Sequence, residues 1–302
     1  MKWGVIWQVD PDNFLSCIER DWFYEVMSQV PLGASHIDYQ DEPQLKTVIP
    51  YSIICASCPN QVLPRMLEEY IRRFPEPRVL YHMSDEFIEV GRDLYQHCDL
   101  VIRNGSINDA VASDDRCIQL PLGYVTGMGN QSRWFRRSSE RKSMFAFMGS
   151  AKQERTTDML VAFDRLKGHH IVRMTSSFAA STSRFDRTSV TVYRNTIFVP
   201  NPKGNWNPEC CRLYDCLEWG CIPLTKRYGD SDYHRDYFDR LFGRNPLPMF
   251  ETWTEAVDFA EDLLRDPGKL DLLQQELMNW WRDLKHRLQA DLALRLRALI
   301  TS

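Results

Sequence analysis

Short apolar runs alternate with longer stretches of helical spacing along most of the chain, and this rhythm constrains the fold more than any other feature. In the first half the apolar runs are "WGVIWQ" (3–8), "TVIPYSIIC" (47–55), "RVLYHM" (78–83), "DLVIRN" (99–104) and "CIQLPLG" (117–123). Between them, "NQVLPRMLEEYIRRF" (60–74) and "EFIEVGRDLYQHC" (86–98) repeat their apolar positions at helical intervals. Strands alternating with helices predict an α/β architecture built on parallel sheets.

Residues 126–142 interrupt the rhythm with a polar, basic stretch nearly free of aliphatic side chains, which reads as a solvated linker. The pattern then restarts. Strands are expected at 143–150, 170–175, 196–202 and 221–225, and helices at 153–166, 254–266 and from Lys269 onward. Two α/β halves of this kind predict two Rossmann-like domains with a cleft between them. Ligands in such sheets lie beyond the carboxyl ends of the strands.

The chain has 302 residues, room for one large or two medium domains, and 26% of them are charged with a net charge of −4. That balance speaks against non-specific nucleic-acid binding, which needs a basic surface. No apolar run approaches the length of a membrane span, and the N-terminus lacks the pattern of a signal peptide. Nine scattered cysteines fit reduced thiols. Together these features predict a soluble cytoplasmic protein. "CASC" (55–58) has no second pair at zinc-ribbon spacing, and the neighbours His169 and His170 have no partners at ligand spacing, so no metal site is expected from either. Aromatic residues make up 12% of the chain, and core packing is their expected role.

"PNPKGNWNPECCRLYDCLEWGCIPL" (200–224) carries the most chemistry. Asn207 suits a helix N-cap, Pro208 the first helical position and Glu209 the first turn, while Gly220 stops the helix. The loop with Lys203, Gly204 and Asn205 leads from a strand into this helix. There, free backbone N–H groups, including that of Cys211, and the positive end of the helix dipole would suit a pyrophosphate. Arg212 and Asp215, three apart, share a helical face. They read either as a phosphate and ribose pair or as an exposed ion pair on a capped helix. Zinc held by Cys210, Cys211, Cys216 and Cys221 would need sulfurs converging on one helical face, which their spacing does not provide.

This stretch resembles the nucleotide-binding signature of the exostosin-like glycosyltransferases: a strand ending in Pro, a Gly-containing loop, then Arg, an aromatic, an acid and "GCIPV". Arg212, Tyr214, Asp215, Gly220, Cys221, Ile222 and Pro223 fall on that pattern, with Asp215 where the family usually has Glu. "FAFMGSAKQER" (145–155) resembles the family's first donor-domain strand and turn. By that likeness Gly149 and Ser150 lie in the turn and Arg155 faces phosphate. "LYHMSDEF" (80–87) and "VIRNG…LPLGY" (101–124) resemble acceptor-side segments of related enzymes, xylosyltransferase-like members among them.

The resemblance implies a GT-B fold of two facing Rossmann-like domains. Their expected spans are 1–125 for the acceptor side and 143–281 for the donor side, with 282–302 crossing back as a helix. It implies an inverting transfer from a UDP-sugar, UDP-xylose being the leading candidate, to a glycan or glycoprotein hydroxyl, with no cofactor or metal required. Asp85 is the expected general base and Glu86 the next candidate, with His82 on the acceptor. Asp85 and Ser84 also read as a helix cap. A nucleotide-sugar or glycan-binding module without turnover is the alternative.

Overall fold

The computed structural model of the chain describes residues 2–7, 18–38, 51–57, 71–72, 77–83, 95–104, 114–130, 134–150, 153–175, 187–204, 207–229 and 232–301. It divides into two compact units, Met1–Leu122 with Lys285–Ser302, and Gly123–Leu284.

The first unit holds a six-stranded sheet whose strands are β1 (Trp3–Trp7), β2 (Leu32–Asp38), β3 (Ser52–Ser57), β4 (Arg78–Met83), β5 (Leu100–Asn104) and β6 (Cys117–Leu120). They lie in the order β2-β1-β3-β4-β5-β6, and every pairing is parallel. β1 is buried throughout, as a central strand covered on both faces must be. Helix α1 (Arg20–Val26) seals one face, where Phe23 meets Trp7 and Tyr81 edge to face at centroid distances of 5.2 and 5.0 Å. Trp22, wholly buried, satisfies its indole N–H on the Pro121 carbonyl at 3.0 Å. Most of the tryptophans therefore fill cores, as expected of them.

The second unit holds β7 (Ser143–Ser150), β8 (His169–Thr175), β9 (Thr196–Asn201), β10 (Ile222–Lys226) and β11 (Met249–Phe250), in the order β11-β10-β9-β7-β8 and again parallel. Its helices are α2 (Gln153–Phe163), α3 (Arg187–Arg194), α4 (Cys211–Glu218), α5 (Asp232–Arg235), α6 (Tyr237–Phe242) and α7 (Trp253–Leu264). A capping box between Thr252 and Glu255 starts α7. The last helix, α8 (Pro267–Thr301), lends its residues up to Leu284 to the second unit and the rest to the first. In the first unit it is held by Lys285 on Glu25 at 3.4 Å and by Gln289 on the Glu25 carbonyl at 3.1 Å.

Both sheets share one winding rule: the first strand pairs with the second on one side and with the third on the other. The order reverses beside β1 in one sheet and beside β7 in the other, so the crevice for a ligand opens between the loops after the first and third strands. In the second unit these are the loops after β7 and β9.

Several elements differ from expectation. β2 and α1 had no sequence forecast: β2, "LGASHID", is an edge strand with a broken apolar pattern, and α1 is short. The expected helices at 60–74 and 86–98 lie mostly outside the described residues. The segment read as a solvated linker is instead part of the second unit, with buried residues alternating with exposed ones. Met128 and Ser138 are inaccessible, and Thr126, Asn130 and Arg141 are buried. Its polar groups find partners inside: Asn130 donates its backbone N–H to the Glu218 carboxylate and its side-chain amide to the Glu218 carbonyl, both at 3.1 Å, and Ser138 N–H donates to Gln274 at 2.8 Å.

Candidate functional site

At the reversal point of the second sheet, β7 ends in Gly149 and Ser150, and β9 leads through Lys203 and Gly204 toward α4. Of the expected donor-side residues, Gly149, Ser150, Lys203 and Gly204 thus lie at two neighbouring strand ends, and Cys211, Arg212 and Asp215 follow on α4. Asn205 lies outside the described residues. Arg155 falls within α2, immediately after the β7 turn.

α4 begins later than the sequence suggested. Cys210, in extended conformation, is the N-cap, and it offers no side-chain cap. Asn207 and Pro208 therefore precede the helix rather than start it. The reason lies in Glu209: its buried carboxylate turns inward to accept from the Tyr237 hydroxyl at 2.5 Å and from the Tyr214 hydroxyl. This draws the acid away from the helix, whose first turn then carries no carboxylate. The positive end of its dipole therefore has no carboxylate in the helix's own first turn. Upstream, the loop is drawn tight by a Gly204 N–H bond to the Asn207 carbonyl at 2.8 Å, and Lys203 N–H donates to the Tyr228 hydroxyl at 2.8 Å. Lys203 Nζ lies 5.0 Å from the centre of the Tyr228 ring.

Arg212, half-buried, reaches from the first turn of α4 back to the end of β7. Its Nε donates to the Met148 carbonyl at 3.1 Å, and its guanidinium carbon lies 4.4 Å from the centre of the Phe147 ring. The Nη2 group occupies the space beside Gly149 where any side chain would point. Nη2 has no hydrogen-bond partner among the described residues. The fork is held by its Nε and its flat face while donors remain for a ligand. Gly149 is what admits it. Gly149→Ala places a Cβ in collision with Nη2, the far end of a flexible side chain that can swing aside. The expected result is little loss of stability but a displaced guanidinium, read as an unchanged melting temperature with clearly weaker anion binding at this site.

Asp215 departs from the exposed-pair reading. It is not the outer half of an exposed ion pair, for it has no accessible surface. Oδ1 accepts from Val125 N–H at 2.9 Å, and Oδ2 is buried without a partner. Desolvation raises its pKa to about 7, a rise opposed by the Val125 bond and the Arg212 charge and helped by Glu218. The single shorter side chain thus anchors the segment that enters the second unit.

The helix stop at Gly220 is as expected. With φ +63°, it carries the turn in which Cys221 N–H bonds the Cys216 carbonyl at 2.9 Å and Gly220 N–H the Leu217 carbonyl at 3.1 Å. Behind it sits a residue that the sequence did not single out. Arg141, 4% exposed, donates to the carbonyls of Arg136, Tyr193, Thr196 and Trp219 and to Cys221 Sγ. Burial lowers its pKa. Gln274 completes the buttress by donating to the Gly220 carbonyl at 2.7 Å.

The cysteines serve packing. Cys216 and Cys221 are buried with raised pKa values, the latter about 11, and their thiols donate to the carbonyls of Leu213 and Tyr193. His169 and His170 lie exposed on β8, where Ser143 Oγ meets His169 Nδ1 at 2.8 Å and His170 stacks on Phe145.

In the first unit His82 is the penultimate residue of β4 and is fully buried. Its Nδ1 lies 2.9 Å from Arg103 Nη1 and 2.5 Å from the Tyr95 hydroxyl. A guanidinium only donates, so Nδ1 accepts and the ring proton resides on Nε2. The ring expected to contact the acceptor is thus solvent-excluded and held beside a buried arginine. Asp85 and Glu86 lie outside the described residues.

No family model matches the chain, and no curated protein matches it. Solved structures do. A mutant of the O-GlcNAc transferase of Thermobaculum terrenum superposes with a TM-score of 0.53 at 13% identity, covering 98% of this chain and 66% of that one. This chain thus spans just under two thirds of that protein's length. The β-glucosyltransferase of phage T4 in complex with UDP and Mn2+ gives 0.55 at 11% identity, covering 98% of this chain and 99% of that one. The same phage enzyme with its UDP-glucose substrate gives 0.52 at 9%, covering 97% and 98%. At such identities the likeness is one of fold: two parallel α/β units wound as in the GT-B glycosyltransferases.

Proposed function

We propose that the protein is a glycosyltransferase that takes a sugar from a UDP-sugar and passes it to an acceptor hydroxyl, with Arg212 and the start of α4 holding the pyrophosphate. The observation that carries this reading is the placement of Arg212: at the reversal point of a parallel sheet, on the uncapped end of a helix, its fork seated over Gly149 with donors to spare. That one fold neighbour, the phage T4 enzyme, was solved both with UDP and with UDP-glucose supports the choice of nucleotide. Cationic and backbone donors at that point stabilise the departing diphosphate, so the reaction proceeds without a required metal or cofactor. Transfer inverts the anomeric centre, Asp85 takes the acceptor proton, and UDP-xylose, a glycan acceptor and an exostosin-like ancestry remain the sequence-based choices. The test is a calorimetric titration with UDP in the presence of chelator, followed by UDP release from candidate UDP-sugars. Failure to bind UDP would overturn the reading; binding without release under any acceptor would favour the binding module. Asp85→Asn is expected to keep UDP affinity while abolishing transfer, and an active variant would move the base elsewhere.

Asp215 supplies a pH signature. In the unfolded chain an aspartate ionises near pH ~4, and in the folded protein at about 7. Between those values the folded state holds a proton the unfolded state lacks. Stability from this group therefore falls as pH rises through the window and is level above it. Asp215→Asn should flatten that fall, seen as a smaller difference in urea midpoint between pH 5 and pH 8. If Oδ2 accepts from the ribose, UDP binding drives Asp215 to ionise and releases a proton near neutral pH. Calorimetry in buffers of different ionisation heat reads this directly, and no release would separate Asp215 from the nucleotide.

A further inference from the structure

The basic stretch before β7 does more than connect. Trp134 is 53% exposed, a large aromatic surface to leave in water. It is not loose. The Arg194 guanidinium lies 5.3 Å from the centre of its ring and 5.7 Å from that of buried Trp219, so one cation bridges both indoles. Trp219 is pinned by its own N–H on the Met128 carbonyl at 2.8 Å, and the Trp134 carbonyl accepts from Asn130 at 3.4 Å. Arg136 joins the same patch through a 2.8 Å bond to Asn195, next in sequence to Arg194, and exposed Arg137 follows it. Among the described residues none of these three arginines forms an ion pair with a carboxylate. An otherwise acidic chain thus places Arg194 against an exposed indole, with Arg136 held beside it through Asn195 and exposed Arg137 next in sequence.

We infer that Trp134, Arg136, Arg137 and Arg194 form a binding surface for single-stranded nucleic acid. Aromatic platforms that stack bases, set among cations that track phosphates, are what such strands require. An anionic glycan shares the charge but needs something different of the ring. Sugar C–H groups seek an electron-rich indole face, and Arg194 already draws on the Trp134 π system. A nucleobase stacks through ring overlap and suffers less from that loss. The patch lies within the second unit, apart from the end of β7 and the start of α4, and the inference does not depend on sugar transfer. It refines the expectation from net charge, because a local cluster binds where the whole-chain average would not.

Fluorescence anisotropy of a labelled oligothymidylate with the full chain tests it. Saturable binding at low salt is expected, weakening with salt at a log–log slope of about −2, as three phosphate contacts on a single strand imply. Trp134→Ala should weaken binding about tenfold or more, while Trp134→Phe, which keeps a ring, retains most of it. Arg136→Gln and Arg137→Gln should each reduce the slope by about 0.7. Melting temperatures measured alongside show whether each variant is folded. The inference is overturned by absence of binding at low salt, by unchanged affinity in folded Trp134→Ala, or by a polyuronate that competes as well as the oligonucleotide.

Discussion

Arg212→Ala is expected to weaken UDP binding by about 10- to 100-fold, the loss that follows from removing hydrogen bonds to a charged group. The effect should reside in affinity and not in folding. Arg212 is half-buried, and its one backbone bond, to Met148, is made at the end of β7 where solvent can replace it. Lysine is a poor substitute: its single ammonium cannot hold the Met148 carbonyl, lie on Phe147 and still present two parallel donors. Arg212→Lys should therefore recover only part of the affinity. Calorimetry with UDP and with uridine distinguishes the cause. A pyrophosphate contact predicts that uridine binds wild type and variant alike, while UDP separates them. Equal UDP affinity in both proteins would remove Arg212 from the donor site and with it the main support for the proposed activity.

Arg141→Met is expected to destabilise the protein by about 3–5 kcal/mol, the range for breaking a buried hydrogen-bond network. Methionine fills much of the volume but leaves the carbonyls of Thr196 and Trp219 facing an apolar chain. The Trp219 carbonyl stands at the carboxyl end of α4, where a cation also offsets the helix dipole. The charge costs desolvation, yet the polar groups it satisfies cannot turn to water, because Arg141 is enclosed by the start of β7, the end of α3 and the turn at Gly220. Urea unfolding followed by tryptophan fluorescence measures the loss. Arg141→Lys, keeping the charge without the fork, should fall between. A midpoint unchanged in the methionine variant would show that water or backbone adjustment satisfies these carbonyls after all. The two substitutions test separate things: Arg212→Ala tests what the site binds, and Arg141→Met tests whether the turn behind it holds.

Much of the frame was legible in the sequence. β4 and β7 begin and end where their apolar runs do, because a strand buried on both faces announces itself without ambiguity. Gly220 marked the end of α4, since few other residues adopt its backbone angles. The start of α4 was misplaced for an equally physical reason. "NPE" is a good local opening for a helix, but Glu209 finds two tyrosine hydroxyls in the interior, and that tertiary bond outweighs local capping preference. The linker was misread because polarity alone does not distinguish a solvated segment from one whose polar groups are satisfied inside. Arg141 and Ser138 belong to the second kind.

The sequence by itself determined the α/β rhythm and the turn at Gly220, because these depend on periodicity and backbone sterics over a few residues. Only the tertiary structure decided that Arg212 rests over Gly149, that Asp215 is buried on Val125 with its pKa pushed up by desolvation, and that Arg194 lies against an exposed Trp134. Each of these is set by contacts between residues far apart in the chain, and burial and charge environment follow from such contacts and not from local spacing.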